Sequence, residues 1–147
     1  MKKLFLTLAA ILAIAPALVS CDKEDKLIGE NELPARAAEF IKEHFSGIKI
    51  SAIMLDRDLF EKTYEVFLAD GSNLDFDKNG DWTDIECHST AVPGNIVPEK
   101  IRSYVTSNHA SRQIVGIDRD KHDYELELDN GLDLKFDLNF NIIGYDN

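Results

Sequence analysis

The sequence predicts an α+β fold: a tandem repeat of a helix followed by a four-stranded antiparallel sheet, with the helices on one side of the sheets. Three observations predict it. The chain is written twice, each copy opens with apolar residues at helical spacing, and each continues with period-two segments separated by turn residues.

The repetition comes first. "LPARAAEFIKEHF" (33–45) matches "VPEKIRSYVTSNH" (97–109), and "LDRD" (55–58) matches "IDRD" (117–120). "YEVFLADGSNLDFDKN" (64–79) matches "YELELDNGLDLKFDLN" (124–139), with eight identities in sixteen positions. The offset falls from 64 to 62 to 60, so two small deletions separate the copies.

Each copy opens with a helix. Pro34 and Pro98 suit the first helical turn, where the missing N–H costs nothing. Ala37, Phe40, Ile41 and His44/Phe45 recur at helical spacing, as do Ile101, Tyr104, Val105 and Asn108. Ser46-Gly47 ends the first helix, and "IKISAIMLDRD" supplies a strand. Tyr64, Val66 and Leu68 then alternate with Glu65, Phe67 and Ala69, as Tyr124, Leu126 and Leu128 do with Glu125, Glu127 and Asp129. Asp70-Gly71 and Asn130-Gly131 are hairpin signals, after which "NLDF" and "LDLKF" return as strands. The copies span 33–87 and 97–147, with 88–96 as linker. About fifty residues are too few for an independent core, so the two sheets are expected to join or pack into one cooperative unit, with both helices covering one side.

The segment before them reads as an address. Lys2 and Lys3 precede an apolar run from Leu4 to Val19, and Leu18-Val19-Ser20-Cys21 has the form of a lipobox. The run is short for a membrane span and Pro16 interrupts it. The expectation is a signal peptide over 1–20, a lipid on Cys21 and a polar tether over 21–32. Lys23, Glu24 and Asp25 resemble the acidic export tag of surface-exposed Gram-negative lipoproteins. The expected place is therefore the cell envelope, periplasmic or on the outer-membrane surface. Removing Lys2 and Lys3 with the signal takes the formal net charge from −11 to −13. Such a domain repels nucleic acid and anionic lipid, which leaves the lipid anchor as the membrane contact. With Cys21 lipidated, Cys87 stands alone and no internal disulfide forms, so packing must stabilise the fold.

The repeat, "YEVFLADG", "YELELDNG" and "FDKNGDW" (76–82) resemble the PepSY-like family of secreted bacterial proteins, whose fold is similar to that of β-lactamase inhibitory protein. The resemblance covers nearly all of 33–147. "FDKNGDW" looks like the family's F-D-x-x-G-x-W hairpin. The second copy departs from it, with Phe140 for the glycine and Ile142 for the tryptophan. The resemblance implies binding of a peptidase or another protein, without catalysis.

The residues agree. There is no G-x-S-x-G, H-E-x-x-H or C-x-x-C. His44, His88, His109 and His122 lie in dissimilar contexts. Cys87 and His88 are adjacent, and strand neighbours point to opposite faces. No catalytic residue and no cofactor is expected. The polar sheet face is the candidate site for an unknown protein or peptide, through Glu65, Phe67, Glu125, Glu127, Asp133 and Lys135, with Phe67 as an apolar anchor. The alternative is calcium. "DFDKNGDWTDIE" (75–86) fits D-x-[DN]-x-[DN]-G-x5-E, with Asp75, Asp77, Asn79, Asp81 and Glu86 as ligands. A calcium loop of that kind needs flanking helices, whereas this one has strand alternation before it and no helical pattern after it. The preferred expectation is therefore a hairpin turning at Asp77-Lys78-Asn79-Gly80.

Overall fold

The computed structural model describes residues 25–57 and 61–146. The expected signal peptide and Cys21 lie outside the described residues.

The elements run β1 (Lys26–Leu27), a single 3-10 turn (Glu30–Glu32), α1 (Ala35–His44), β2 (Ile50–Arg57), β3 (Lys62–Leu68), β4 (Asn73–Phe76), β5 (Trp82–Glu86), α2 (Glu99–Asn108), β6 (Ile114–Arg119), β7 (Asp123–Leu128), β8 (Asp133–Asp137) and β9 (Ile142–Asp146). All nine strands lie in one antiparallel sheet, ordered as in the chain.

This corrects the expected fold. The molecule is not a repeated unit of a helix and its own four-stranded sheet. It is a single nine-stranded sheet with two helices. The finding that decides it is the pairing of β5 with β6, through Asp84↔Asp118, Ile85↔Ile117 and Glu86↔Gly116. Two separate sheets would leave a row of unpaired N–H and C=O groups on each of these strands, and pairing them removes both edges. A second difference lies in 26–32, read from sequence as part of a tether. β1 pairs with β2 through Lys26↔Leu55 and Leu27↔Met54, and the Ile28 N–H donates to the Ile53 carbonyl at 3.0 Å.

The helices begin one residue after each proline. Pro34 and Pro98 are extended cap residues (ψ 138° and 137°), not first-turn residues. Their carbonyls accept from the Ala38 N–H at 3.1 Å and the Arg102 N–H at 3.0 Å. Ala37, Ile41 and Phe45 bury one side of α1, and Ile101 and Val105 one side of α2. Both join a core formed by alternate strand residues, among them Val66, Leu74, Ile85, Ile117, Leu126 and Leu134. Each helix also sets an aromatic ring edge-on against the sheet. Phe40 meets Phe76 at 5.7 Å and Tyr104 meets Phe136 at 5.4 Å between centroids.

The β4–β5 and β8–β9 turns share one hydrogen-bond pattern. Asp77 Oδ1 accepts from the N–H groups of Asn79 (2.8 Å) and Asp81 (3.0 Å), and Asp137 Oδ1 from those of Asn139 (2.9 Å) and Asn141 (2.8 Å). The fourth turn residue is left-handed in each: Gly80 at φ 82°, Phe140 at φ 62°. A helix-borne base ties each turn down. Arg36 meets Asp81 at 2.8 Å, and Lys100 Nζ donates to Asn141 Oδ1 at 2.7 Å. Gly80 has a further constraint. A Cβ there would stand 2.8 Å from the Ala37 nitrogen and 2.9 Å from Pro34 Cβ, so the turn abuts the start of α1.

Candidate functional site

Period-two alternation gives the sheet two unlike faces. One packs against the helices. The other carries the polar alternates of every long strand, and strand register sorts them into rows. One row runs Met54, Glu65, Asp75, Asp84, Asp118, Glu125, Lys135, Gly144 across β2 to β9. It sets five carboxylates side by side on five adjacent strands, about 5 Å apart. The next row runs Ala52, Phe67, Asn73, Glu86, Gly116, Glu127, Asp133, Asp146. It adds four more carboxylates, and Lys135 is the one base in either row.

Directly opposed like charges destabilise a sheet. Burial first, and like charge second, raises the proton affinity of four of these carboxylates. Burial, and then the charges of Glu65, Glu86 and Asp118, push Asp75 up to about 7. Burial, and then Glu86, Asp75 and Asp118, push Asp84 up to about 8. Glu65 and Asp133 are raised as well, again first by burial. Lys135 stands 3.0 Å from Asp123, which holds its ammonium charged. The β5–β8 part of the face is a concavity of about 450 Å³, lined among others by Asp84, Glu86, Asp118, Glu125, Glu127 and Asp133. On the helix side of the sheet, beside Phe40 and Arg36 of α1, the Arg119 guanidinium lies 4.1 Å over the Trp82 ring, and Arg119 Nε donates to the Trp82 carbonyl at 2.7 Å.

These shifts set a pH dependence. The folded-state pKa values of Asp75 and Asp84 lie above the ordinary 3.8, so the native state binds more protons than the unfolded chain between about pH 4 and 8. The stability that depends on these two groups is complete below about pH 4 and is lost as pH rises through 7 and 8. The melting temperature is expected to fall by several degrees from pH 5.5 to 8.5. Asp84→Asn is expected to flatten that slope and to melt above the wild type at pH 8.5. Parallel slopes for the two proteins would remove Asp84 as the cause.

The six face residues picked from sequence all lie here: Glu65, Glu125 and Lys135 in the first row, Phe67, Glu127 and Asp133 in the second. The five calcium candidates are not gathered. Asp75 and Glu86 sit on the face in different rows. The Asp77 carboxylate closes its own turn, Asn79 is at the exposed turn tip, and Asp81 pairs with Arg36. Residues 75–86 form a hairpin. Among the described residues, no three His, Cys, Asp or Glu side chains are grouped so as to hold a metal ion. Sequence reasoning missed Asp84 and Asp118, the pair at the β5–β6 junction. Their signal was the alternation in "WTDIE" and "VGIDR", which becomes readable once the two strands are neighbours.

Cys87 follows β5 and is buried, and burial pushes its thiol up, away from the reactive thiolate. His88 is exposed, with Nε2 3.9 Å from Glu86 Oε2.

The family described as "Putative beta-lactamase-inhibitor-like, PepSY-like" matches residues 62–144. Solved structures are similar over most of the chain. A "putative periplasmic protein" of the DUF2874 family from Bacteroides vulgatus is 44% identical with a TM-score of 0.82, covering 84% of this chain and 98% of that one. A "putative calcium-regulated periplasmic protein" from Bacteroides thetaiotaomicron is 43% identical with a TM-score of 0.82, covering 84% and 97%. A further B. vulgatus "putative periplasmic protein of unknown function" is 36% identical with a TM-score of 0.81, covering 84% and 100%. No curated protein matches the chain.

Proposed function

The chain belongs to the PepSY-like family, and on that premise we propose that it is a non-catalytic binding module of the periplasm whose open sheet face engages a basic segment of a protein or peptide. The observation that carries this reading is the row Glu65, Asp75, Asp84, Asp118, Glu125, five carboxylates held in register, with the proton affinities of Glu65, Asp75 and Asp84 raised. A cationic partner relieves that repulsion, and solvent alone does so poorly where the groups are partly buried. Phe67, half-buried in the adjoining row, adds an apolar contact beside the charges. The periplasmic descriptions of relatives at 36–44% identity support the compartment. The lipobox ending at Cys21 supports anchoring to the envelope by lipid, which membrane release of Cys21→Ala would check. The buried, protonated Cys87 and the scattered histidines favour binding over chemistry.

The experiment is charge reversal on the face. Glu125→Lys with Glu127→Lys is expected to weaken capture of the partner from envelope extracts at least tenfold. The melting temperature should stay within about 2 °C, because exposed charges contribute little to stability. Unchanged capture by this variant, or its loss on Cys87→Ser in a folded protein, would remove the face from the mechanism.

Calcium is the second reading, favoured by the description of the B. thetaiotaomicron relative. In this chain the 75–86 hairpin does not converge its oxygens, so a cation would sit on the face instead. Saturating calcium at about a hundred times its dissociation constant adds about 2.7 kcal/mol. The expected rise in melting temperature from chelator to millimolar calcium is no more than about 2 °C, the scale of nonspecific screening. A rise near 10 °C that disappears in Asp84→Asn would put calcium first.

A further inference from the structure

We propose that the outer edge of β9 is a second docking site, which takes an extended peptide of alternating apolar and basic residues as a tenth strand of the sheet. The proposal shares with the open-face reading only the sign of the partner's charge.

Among the described residues β9 ends the strand order and pairs with β8 alone. Three of the four exposed large hydrophobic residues among those described lie on it or on the turn that leads to it: Leu138, Ile143 (56% exposed) and Tyr145 (59% exposed). Sheet edges are ordinarily blunted by lysine, proline or a covering segment. Ile142, Ile143, Gly144 and Tyr145 carry no charge and no proline.

β5 shows what a strand of this shape accepts. At the offset of 60, Trp82, Asp84, Ile85 and Glu86 align with Ile142, Gly144, Tyr145 and Asp146. Both strands leave the same aspartate-closed turn. Both shift register at the same place, between Asp75/Phe76 in one pairing and Lys135/Phe136 in the other. On its far side β5 carries β6, antiparallel, with Ile85 opposite Ile117 and Glu86 opposite Gly116. The equivalent side of β9 carries no described strand.

The other end of the sheet identifies the occupant by elimination. By strand register Leu55 and Met54 on β2 stand where Arg119 and Asp118 stand on β6, opposite Tyr64/Tyr124 and Glu65/Glu125. β1 lies on them through Lys26↔Leu55 and Leu27↔Met54, so β1 takes on β2 the place that β5 takes on β6. A second copy therefore has no open strand of the β6 kind to offer, and two chains of net charge −11 repel. A basic strand meets neither obstacle. Opposite Tyr145, whose hydroxyl meets that of Tyr104 on α2, it would place an apolar residue, as Ile117 stands opposite Ile85. Opposite Asp146 it would extend the row Glu127, Asp133, Asp146, where a lysine or arginine is favoured.

The test uses the 15N-labelled protein and the peptide acetyl-Lys-Val-Lys-Val-Lys-Val-amide, with two controls: the same peptide N-methylated at alternate amides, and its glutamate counterpart. The parent peptide is expected to slow amide exchange in β9 at least tenfold, and the controls are not. Ile143→Lys, an exposed position that leaves the core intact, is expected to weaken binding at least tenfold. Equal binding of the N-methylated peptide would overturn strand addition. Perturbation confined to Glu65, Glu125 and Glu127, lost on their reversal while β9 stays unprotected, would sink the edge proposal and leave the open-face reading standing. Absence of binding at either place would sink both. A concentration-dependent dimer in sedimentation, dissociated by Ile143→Lys, would assign the edge to a second copy and refute the peptide.

Discussion

Gly80→Val is expected to lower the melting temperature by roughly 10–20 °C. Two effects add. A side chain at φ 82° costs about 1–2 kcal/mol, more for a β-branched one. Its Cβ would also stand 2.8 Å from backbone of α1, and accommodating such an intrusion costs about 1–3 kcal/mol. The total of about 2–5 kcal/mol sets that temperature range for a domain of this length. Phe140 is the internal contrast. It holds the matching backbone conformation, and its ring rests against Tyr124 at 5.4 Å. Phe140→Gly relieves the strain and loses that contact, so a change within about 1 kcal/mol is expected there. Thermal melts followed by circular dichroism check both. A Gly80→Val protein melting within 3 °C of the wild type would refute the close approach to α1.

Residues 88–147 expressed alone are expected to be largely unfolded, with no cooperative thermal transition. The cut takes β5 from β6, so Ile117 loses Ile85 and the β6 edge is laid bare beside the exposed edge of β9. The fragment keeps four strands and one helix, too little apolar burial to offset its chain entropy. A sharp transition in this fragment would show that the continuous sheet is two stable pieces placed side by side.

What was legible in the sequence was local. The spacing of Ala37, Ile41 and Phe45 marks α1 because a helix repeats every 3.6 residues within its own segment. The turn at Asp77–Gly80 is legible because Asp, Asn and Gly each carry part of its geometry. The outward residues of β3, β7 and β8 follow from period two, so six members of the acidic face could be named. The junction was not legible. Whether β5 ends a sheet or receives β6 is a choice between edges distant in sequence, and no local pattern in "DWTDIE" or "IVGIDR" encodes it. The expectation of a four-stranded sheet for each copy, and the omission of Asp84 and Asp118 from the face, have that one origin. β1 was hidden for another reason: two paired residues inside a charged stretch are too short to show a period. Phe140 reads as a break in the turn motif, yet the Asp137 hydrogen bonds keep the turn closed without glycine.

The chain has a single tryptophan, and Arg119 both stacks on its ring and donates to its carbonyl, reaching from β6 to β5. The molecule thus carries its own optical gauge at the seam between its halves. Indole emission depends on whether a cation and a neighbouring strand lie against the ring. Its change on heating or in denaturant reads the parting of β5 from β6, while far-ultraviolet ellipticity reads the loss of helices and strands as a whole. Superimposed curves mean that the seam opens only when everything does; an earlier fluorescence change means that the halves separate first and melt afterwards.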